Sequence, residues 1–552
     1  MTVAVEGQEA DARAGGALVI VGASLGTLFE WYDFFLYGSL ATYIAHHFFA
    51  GVDERTAFTF ALAAFAAGFI VRPFGALVFG RVGDIVGRKN TFLVTMTIMG
   101  GSTFLVGLLP GYQTIGVAAP ILLIALRLLQ GLAIGGEYGG AAIYVAEHAP
   151  ADRRAFNTSA INAMASGGLI TSLVAVIAFR LMLSEADFMA WGWRAPFLIS
   201  CVLLGISLWI RLRLEESPVF RRMKAENLTS KAPLRETFGE WKNLKLVLIA
   251  LFGSIVGSTS IWYGAQFYVL FFLQRVLKVG DLQADLLMVL GLTATLPTFL
   301  LWGWLSDRIG RKPLMIGGCA IAAVAIFPLF HALTWAANPA LADAQRRAPV
   351  VVMADPVACS FQFDPIGTHR FDASDCDIAK SLLTRAGVSY RSVSLPAGAR
   401  AMLTIAGRTI AAPDPRGLAT AERKRVVATF GASAKAALTA AGYPTAADPA
   451  AVNMPLAAGL IFLLVSLAAM TYAPSAAFLV ELFPAKIRYT SLSFPYHLGS
   501  GWVGGLLPAS AFAIATARGD IYAGLWYPVA FCVLTTLVGT LFTPETRGRS
   551  IQ

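Results

Sequence analysis

Glu30, Asp33 and Tyr37 stand at i, i+3 and i+7 in GTLFEWYDFFLYG (26–38), so one helical face carries all three. The surroundings are apolar. Carboxyl groups inside such a helix are costly and are functional candidates by default. Glu30 or Asp33 would bind and release a proton; a hydrogen-bonded structural acid is the plain alternative. A second set lies in RLLQGLAIGGEYGGAAIYVAE (127–147): Arg127, Gln130, Glu137 and Tyr138. Gln130 and Glu137 share a face, and Glu137 joins the proton-handling candidates. Arg127 is about 15 Å from Glu137 along the helix, so they are not obvious partners. Arg127 could instead pair with a carboxylate of the first helix, with Asp84, or bidentately with a bound small carboxylate. Gly135, Gly136, Gly139 and Gly140 read as close helix packing. No strand precedes them, so they are not a phosphate loop. Tyr263 and Gln266, spaced i, i+3, are hydrogen-bonding candidates beside Trp262 and Tyr268, though aromatics there also suit a membrane interface. Tyr496 and His497 complete the set. His497 would shuttle protons or simply pack.

A different kind of signal is a pattern that occurs twice. GRVGDIVGRK at 80–89 and GWLSDRIGRK at 303–312 share Gly-x3-Asp-x2-Gly-Arg-Lys. The residues concerned are Gly80, Asp84, Gly87, Arg88 and Lys89, then Gly303, Asp307, Gly310, Arg311 and Lys312. The glycines allow tight turns and close helix approach. An acid at helix ends can cap a neighbouring helix N-terminus. Arg and Lys can pair with it or with anionic lipid. Such a cluster can lock one conformation and release another. Topogenic charge alone would not require the fixed spacing.

These residues need elements to hold them, and composition says which. The chain has 552 residues, 57% hydrophobic and 14% charged. Soluble domains carry about 25% charged residues. Here charges cluster between apolar runs long enough to cross a ~30 Å hydrocarbon core, where exposed backbone forces helices. Twelve spans are expected, near 17–44, 57–79, 91–109, 118–147, 157–182 and 194–212, then 246–274, 284–305, 313–336, 455–480, 488–516 and 521–543. Lys and Arg gather in the loops after spans 2, 4, 6, 8 and 10, which marks that side as cytoplasmic. Both termini then face the cytoplasm. The net charge of +10 follows from that bias and does not indicate nucleic acid. The start, MTVAVEGQEADARAGG (1–16), has no basic n-region or cleavage site and reads as a cytoplasmic tail. Two six-helix halves (17–212, and 246–337 with 454–543) flank a basic linker at 213–245, and 544–552 forms a short tail. Parallel halves suggest a binding site between them near mid-membrane.

Residues 338–453 are too polar to span. They read as a small α+β domain outside the cytoplasm, between spans 9 and 10: strand in APVVVMADPVACSFQFDP, helix in SDCDIAKSLLTRAG, then strands joined by a turn. Cys359 and Cys376 would face an oxidising compartment, where a disulfide is plausible and two free thiols are the alternative. Cys201, Cys319 and Cys532 lie in spans as packing residues. His369 with Asp372, Asp375 and Asp377 lacks the oxygen set and the glycine of a calcium loop; Asp375 fits better as a helix N-cap.

The repeated loop resembles the signature of the major facilitator superfamily. GTLFEWYDFFLYG, RLLQGLAIGGEYGGAAIYVAE, WGWRAPFLIS (191–200), RLRLEESPVF (211–220) and ELFPAKIRYTSLSFPYHLG (481–499) resemble one branch, the metabolite:proton symporters. That branch includes shikimate, α-ketoglutarate, citrate and proline/betaine carriers. The resemblance covers the membrane part and not 338–453. It implies an all-α transporter of two six-helix halves in a bacterial inner membrane, taking up a small organic acid with protons by alternating access. It implies no enzyme activity, cofactor or metal, and a monomer as the working unit. A zwitterionic osmolyte is the near rival, although the short PETRGRSIQ after span 12 contrasts with the long terminal helix of many osmolyte carriers. Other readings make the chain a sensor, or its insert a periplasmic enzyme. No Walker loop is present, which disfavours ATP as the energy source.

Overall fold

The computed structural model describes residues 22, 24–52, 54–212, 216–363 and 371–551. The N-terminal tail, the first residues of span 1 and His369 lie outside them. Among the described residues, eleven helices are long and apolar enough to cross a membrane. They are Ala63–Ile85, Arg88–Leu108, Ala118–His148, Ala151–Met182, Gly192–Leu212, Trp241–Val276, Asp281–Ile309, Arg311–Ala337, Met454–Leu482, Ala485–Arg518 and Ala523–Phe542. They match spans 2–12 to within a few residues. Residues 24–39, which carry Glu30, Asp33 and Tyr37, are also helical.

Breaks in the helices fall where side chains must be re-aimed. Span 7 contains three widened π turns, Leu251–Ile255, Gly264–Tyr268 and Phe272–Val276, and span 11 contains one, Gly499–Gly504. Extra residues in a turn rotate the helix face, and such turns are frequent at functional sites. Close approach between the halves depends on small residues. A Cβ on Gly501 would lie 2.6 Å from the Phe69 carbonyl oxygen, and one on Gly80 3.0 Å from the Thr490 Cα.

The insert is a compact α+β unit. Helix α1 (Pro339–Arg347) leads into β1 (Val350–Ala354); α2 (Asp375–Ala386) crosses over to β2 (Tyr390–Ser394); β3 (Met402–Ile405) and β4 (Arg408–Ala411) form a hairpin; α3 (Thr420–Ala440) closes the unit. The sheet order is β2-β1-β3-β4, with β1 and β2 parallel and the other pairs antiparallel. Strand residues Val350, Val352, Leu403 and Ile405 are buried. Of the stretch expected to alternate as strand, only 350–354 does so. Asp355 turns the chain back by accepting from the Val357 and Gly398 amides. Helix α2 ends at Gly387, in the left-handed region at φ 70°. Its N-cap is Ser374 rather than Asp375: the Ser374 hydroxyl accepts from the Asp377 amide at 3.1 Å. Asp375 is instead the first helical residue, and its carboxylate accepts from the Ala401 amide at 2.6 Å.

The insert docks on the second half. Lys278 at the end of span 7 donates to the Arg385 carbonyl (3.0 Å) and accepts at its own carbonyl from the Ala447 amide (3.0 Å). The Tyr390 amide donates to the Gly519 carbonyl after span 11 at 2.7 Å. Cys359 and Cys376 are disulfide-bonded, with Cα atoms 5.3 Å apart.

Candidate functional site

The two copies of the repeated loop build the same device twice, each across the halves. Asp84 accepts from the Tyr489 and Thr490 amides (3.1 and 2.9 Å) and from the Thr490 hydroxyl (2.8 Å). It therefore caps the first turn of helix Arg488–Leu498 in the opposite half. Asp307 accepts from the Ala155 and Phe156 amides (3.0 and 2.8 Å), capping helix Arg154–Met182 in the same way. A carboxylate at a helix N-terminus satisfies orphan N–H groups and complements the helix dipole.

A buried glutamate then joins each loop arginine to the arginine that opens the capped helix. Glu147 pairs with Arg88 and, at 2.8 Å, with Arg488. Glu481 pairs with Arg311 at 3.0 Å and with Arg154 at 2.8 Å. A hydroxyl completes each group: Ser217 donates to Glu147, and Thr546 donates to Glu481 at 2.8 Å. The turn itself is held by an acid that follows the last helix of each half. Glu216 accepts from the Lys89 amide (3.2 Å); Glu545 accepts from the Arg311 and Lys312 amides (3.0 and 3.1 Å). Gly87 (φ 132°) and Gly310 (φ 108°) make these turns in a region L side chains avoid. A Cβ at Gly87 would also meet a Glu216 carboxylate oxygen at 2.6 Å.

Sequence spacing pointed to the aspartates and loop arginines. It missed Glu147, Glu481, Arg154, Glu216 and Glu545, and it left Arg488 without a role. Their signal was present: EESPVF and PETRGRS each place a Glu before a hydroxyl residue just beyond a half, and AEH and VEL each end a span with a Glu.

The interior acids collect inside the first half. Glu30, Asp33 and Glu137 line a cavity of about 10 Å3 with Phe29, Met96 and Met99, room for no more than one water. Glu137 pairs with Arg211 of span 6 at 3.0 Å, and Glu30 faces that pair. Ser200 donates to Asp33. Arg127 reaches none of these acids, nor Asp84. It donates to Gln130 Oε1 at 2.6 Å, and its guanidinium lies 4.1 Å from the Tyr37 ring centroid. Gln130 is held in turn by donating to Thr103 at 2.8 Å. Tyr37 turns aside to donate to the Ala61 carbonyl at 3.0 Å.

The remaining candidates meet between the halves. The Tyr138 ring stacks on Tyr496 with centroids 3.5 Å apart. Tyr138 also donates to Asn162 at 3.4 Å, and Tyr472 and Tyr496 hydroxyls are 3.3 Å apart. Gln266 donates to Ser166 at 3.0 Å. His497 is fully buried, and neither ring nitrogen has a hydrogen-bond partner among the described residues. At the centre is a residue the sequence reading passed over. Arg72, in the FIVRPFG stretch of span 2, is fully buried and donates to the Tyr263 hydroxyl across the halves at 2.9 Å. Its guanidinium lies 4.3 Å from the Phe34 and Phe69 ring centroids and 5.5 Å from Trp31. Its Nε and Nη2 have no hydrogen-bond partner among the described residues. A buried cation with donors to spare is suited to hold a small anion.

A two-half helical bundle clamped twice at one face by mirrored ion-pair clusters defines a membrane carrier rather than an enzyme. The chain belongs to the major facilitator superfamily, whose model matches residues 23–353; a second model, sugar (and other) transporter, matches 422–552. It is 36% identical to the shikimate transporter of Escherichia coli K12 over 57% of this chain and 72% of that protein. It is 35% identical to the proline/betaine transporter of the same organism over 56% of this chain and 63% of that protein. The α-ketoglutarate permease of that organism is 34% identical over 58% of this chain and 72% of its own length. A solved proton:xylose symporter, XylE, shares the fold at TM-score 0.60 and 16% identity, with 98% of each chain covered.

Proposed function

We propose that the protein is a proton-coupled symporter that takes up a small organic acid by alternating access. The observation that carries this reading is Arg72: a buried guanidinium, held across the halves by Tyr263, with two donors unmet among the described residues. One carboxylate would satisfy both donors bidentately. Glu137 is paired with Arg211, Glu30 faces that pair and Asp33 lines the same small cavity, and such a group can exchange a proton as the halves move. The distribution of Lys and Arg puts the doubled clamp at the cytoplasmic face and both termini inside. The insert then lies on the opposite side of a bacterial inner membrane. Counting residues 24–39 as part of a first span makes twelve membrane helices. One chain holds every group named, so a monomer suffices.

A second reading has one observation in its favour. Trp31, Phe35, Trp262 and Phe267 form a ring cluster, with Trp31 and Trp262 centroids 5.4 Å apart. Aromatic faces also hold quaternary ammonium groups, which suits a zwitterion whose carboxylate sits on Arg72. Proteoliposomes under an inward proton gradient separate the two. Charge movement would be recorded with shikimate, α-ketoglutarate, citrate, a benzoate-type acid and betaine. Current with an acid, lost in Asp33→Asn, is the expected result. Current with betaine alone selects the osmolyte reading, and silence with every compound overturns symport.

A further inference from the structure

The two clamps share their backbone contacts but differ at the first residue each aspartate caps. Asp84 accepts from the Tyr489 amide, and Asp307 from the Ala155 amide. The halves also differ deeper in. Glu137 stands ten residues before the bridging Glu147, whereas Thr471 stands ten before Glu481. The tyrosine therefore belongs to the clamp that closes over the acid-bearing half. The clamp over the half without the acid manages with alanine, so capping alone does not require the ring.

Tyr489 is a residue of the second half that is seated inside the first, and it is fully buried there. Its amide donates to Asp84 at 3.1 Å, and its hydroxyl donates to the carbonyl of Gly136, the neighbour of Glu137. Spans 2 and 4 leave room for the ring by presenting glycines. A Cβ on Gly83 would lie 2.5 Å from the ring, and one on Gly140 2.6 Å from the hydroxyl. The same Gly140 position has Phe92 of span 3 at 3.3 Å. The Arg211 guanidinium lies 3.2 Å from the Phe92 ring centroid, and Arg211 holds Glu137 at 3.0 Å. Two short paths thus join Asp84 to Glu137 through one side chain, by the Gly136 peptide and by Phe92 with Arg211.

The charged groups around the tyrosine are Asp84, Arg88, Glu137 and Arg211. Glu30 and Asp33 of span 1 line the cavity beyond, and Arg72 of span 2 faces Glu30. Towards the membrane surface stand the Glu147–Arg488 and Glu236–Lys486 pairs.

We infer that Tyr489 is the positioning residue that makes opening of the cytoplasmic clamp depend on the proton carried at Glu137. The inference rests on the reading of the chain as a proton-coupled carrier. With Glu137 ionised, Arg211 is held over Phe92, and the slot keeps its shape around the tyrosine. A proton on Glu137 neutralises the carboxylate and frees the guanidinium, which loosens both the Phe92 wall and the turn of span 4 that carries the Gly136 carbonyl. Parting of the halves must draw the ring from its slot and break the amide and hydroxyl bonds together. The state of the slot therefore sets how readily Asp84 lets go. Loss of the proton to the cytoplasm restores the Glu137–Arg211 pair and the slot with it.

The test uses the full chain in nanodiscs, in a Cys201→Ser background with Ser493→Cys as reporter, because Ser493 is buried against Gly139 where the halves meet. Maleimide labelling is followed from about pH 8.5 to about pH 6, each rate divided by that of the unfolded protein at the same pH. Labelling of the parent should rise about fivefold on acidification, the effect of one hydrogen bond. Tyr489→Phe keeps the ring and loses the hydroxyl; it should label fast at every pH, as should Glu137→Gln. Combining the two should add nothing, since both act on one contact. Where the phenylalanine variant fails to fold, Gly140→Ala, whose Cβ would displace the hydroxyl, should give the same flat profile. A flat profile in the parent, or the parent's slope retained in Tyr489→Phe, overturns the inference and leaves a packing tyrosine. Proton-driven charge movement of the parent separates the two levels of the reading. Current with a flat labelling profile removes the coupling role alone, whereas absence of current with every substrate removes the carrier reading beneath it.

Discussion

At the scale of residues, the site is defined by which buried charges have partners. Arg127 was the natural candidate for a carboxylate contact, yet Gln130 and the Tyr37 ring occupy it. Nε and Nη2 of both arginines lack a hydrogen-bond partner among the described residues, and what distinguishes Arg72 is that its Nη1 reaches across the halves to Tyr263. Charge-assisted hydrogen bonds contribute about 1.5–3 kcal/mol each, so Arg72→Gln should raise the half-saturation concentration of an acid at least ~10-fold. Arg72→Lys, which keeps charge but not the fork, should fall between; uptake at varied substrate concentration reads both. Asp33→Asn should abolish proton-driven accumulation while substrate exchange across equilibrated membranes survives. Loss of exchange as well would make Asp33 a structural acid held by Ser200.

At the scale of elements, the repeated loop works because a helix begins opposite it. Asp84 and Asp307 each supply the acceptor for two backbone N–H groups at the start of a helix in the other half. Removing a cap costs about 1 kcal/mol. Asp84→Asn and Asp307→Asn should therefore each lower the melting temperature slightly. Each should also increase labelling of a cysteine introduced at that face, because the cap spans the closing interface. An effect on melting without increased labelling would show that the caps stabilise without gating. Gly310→Ala should be worse than either, since φ 108° is strained for any side chain and the new Cβ would meet Glu545.

At the scale of the whole molecule, one face is clamped by two equivalent clusters, and the insert is fastened to the second half, with Lys278 and Gly519 among the points of contact. Uptake should survive removal of residues 340–452, measured as initial rate at matched protein level. Acid should loosen the clamp. Burial opposes ionisation of Glu545, but hydrogen bonds from the Arg311, Arg547, Lys312 and Thr546 amides outweigh it and hold its carboxyl below the usual range. A carboxyl lowered on folding stabilises above its unfolded-state value, and that contribution is lost as pH falls through the folded value. Melting recorded downward from pH 6 should show a smaller acid-side loss in Glu545→Gln than in the parent.

The helices and the repeated loop with its helix-capping aspartates were legible along the chain, because bilayer thickness and helix periodicity act on contiguous residues. The α+β character of the insert and its pair of cysteines were legible for the same reason. What the chain order could not supply was pairing between distant segments. Glu147 and Glu481 look like ordinary helix ends until folding brings Arg488 and Arg154 beside them. The acids of span 1 look like cavity residues, but packing of spans 1, 3, 4 and 6 encloses them in the first half beside Arg211. Arg72 resembles one more loop charge beside a proline. Only the tertiary structure, by burying it against three rings with no acid paired to it among the described residues, makes it the cation we propose holds an anion, because the cost of burying charge depends on what surrounds it in space and not on what precedes it in sequence.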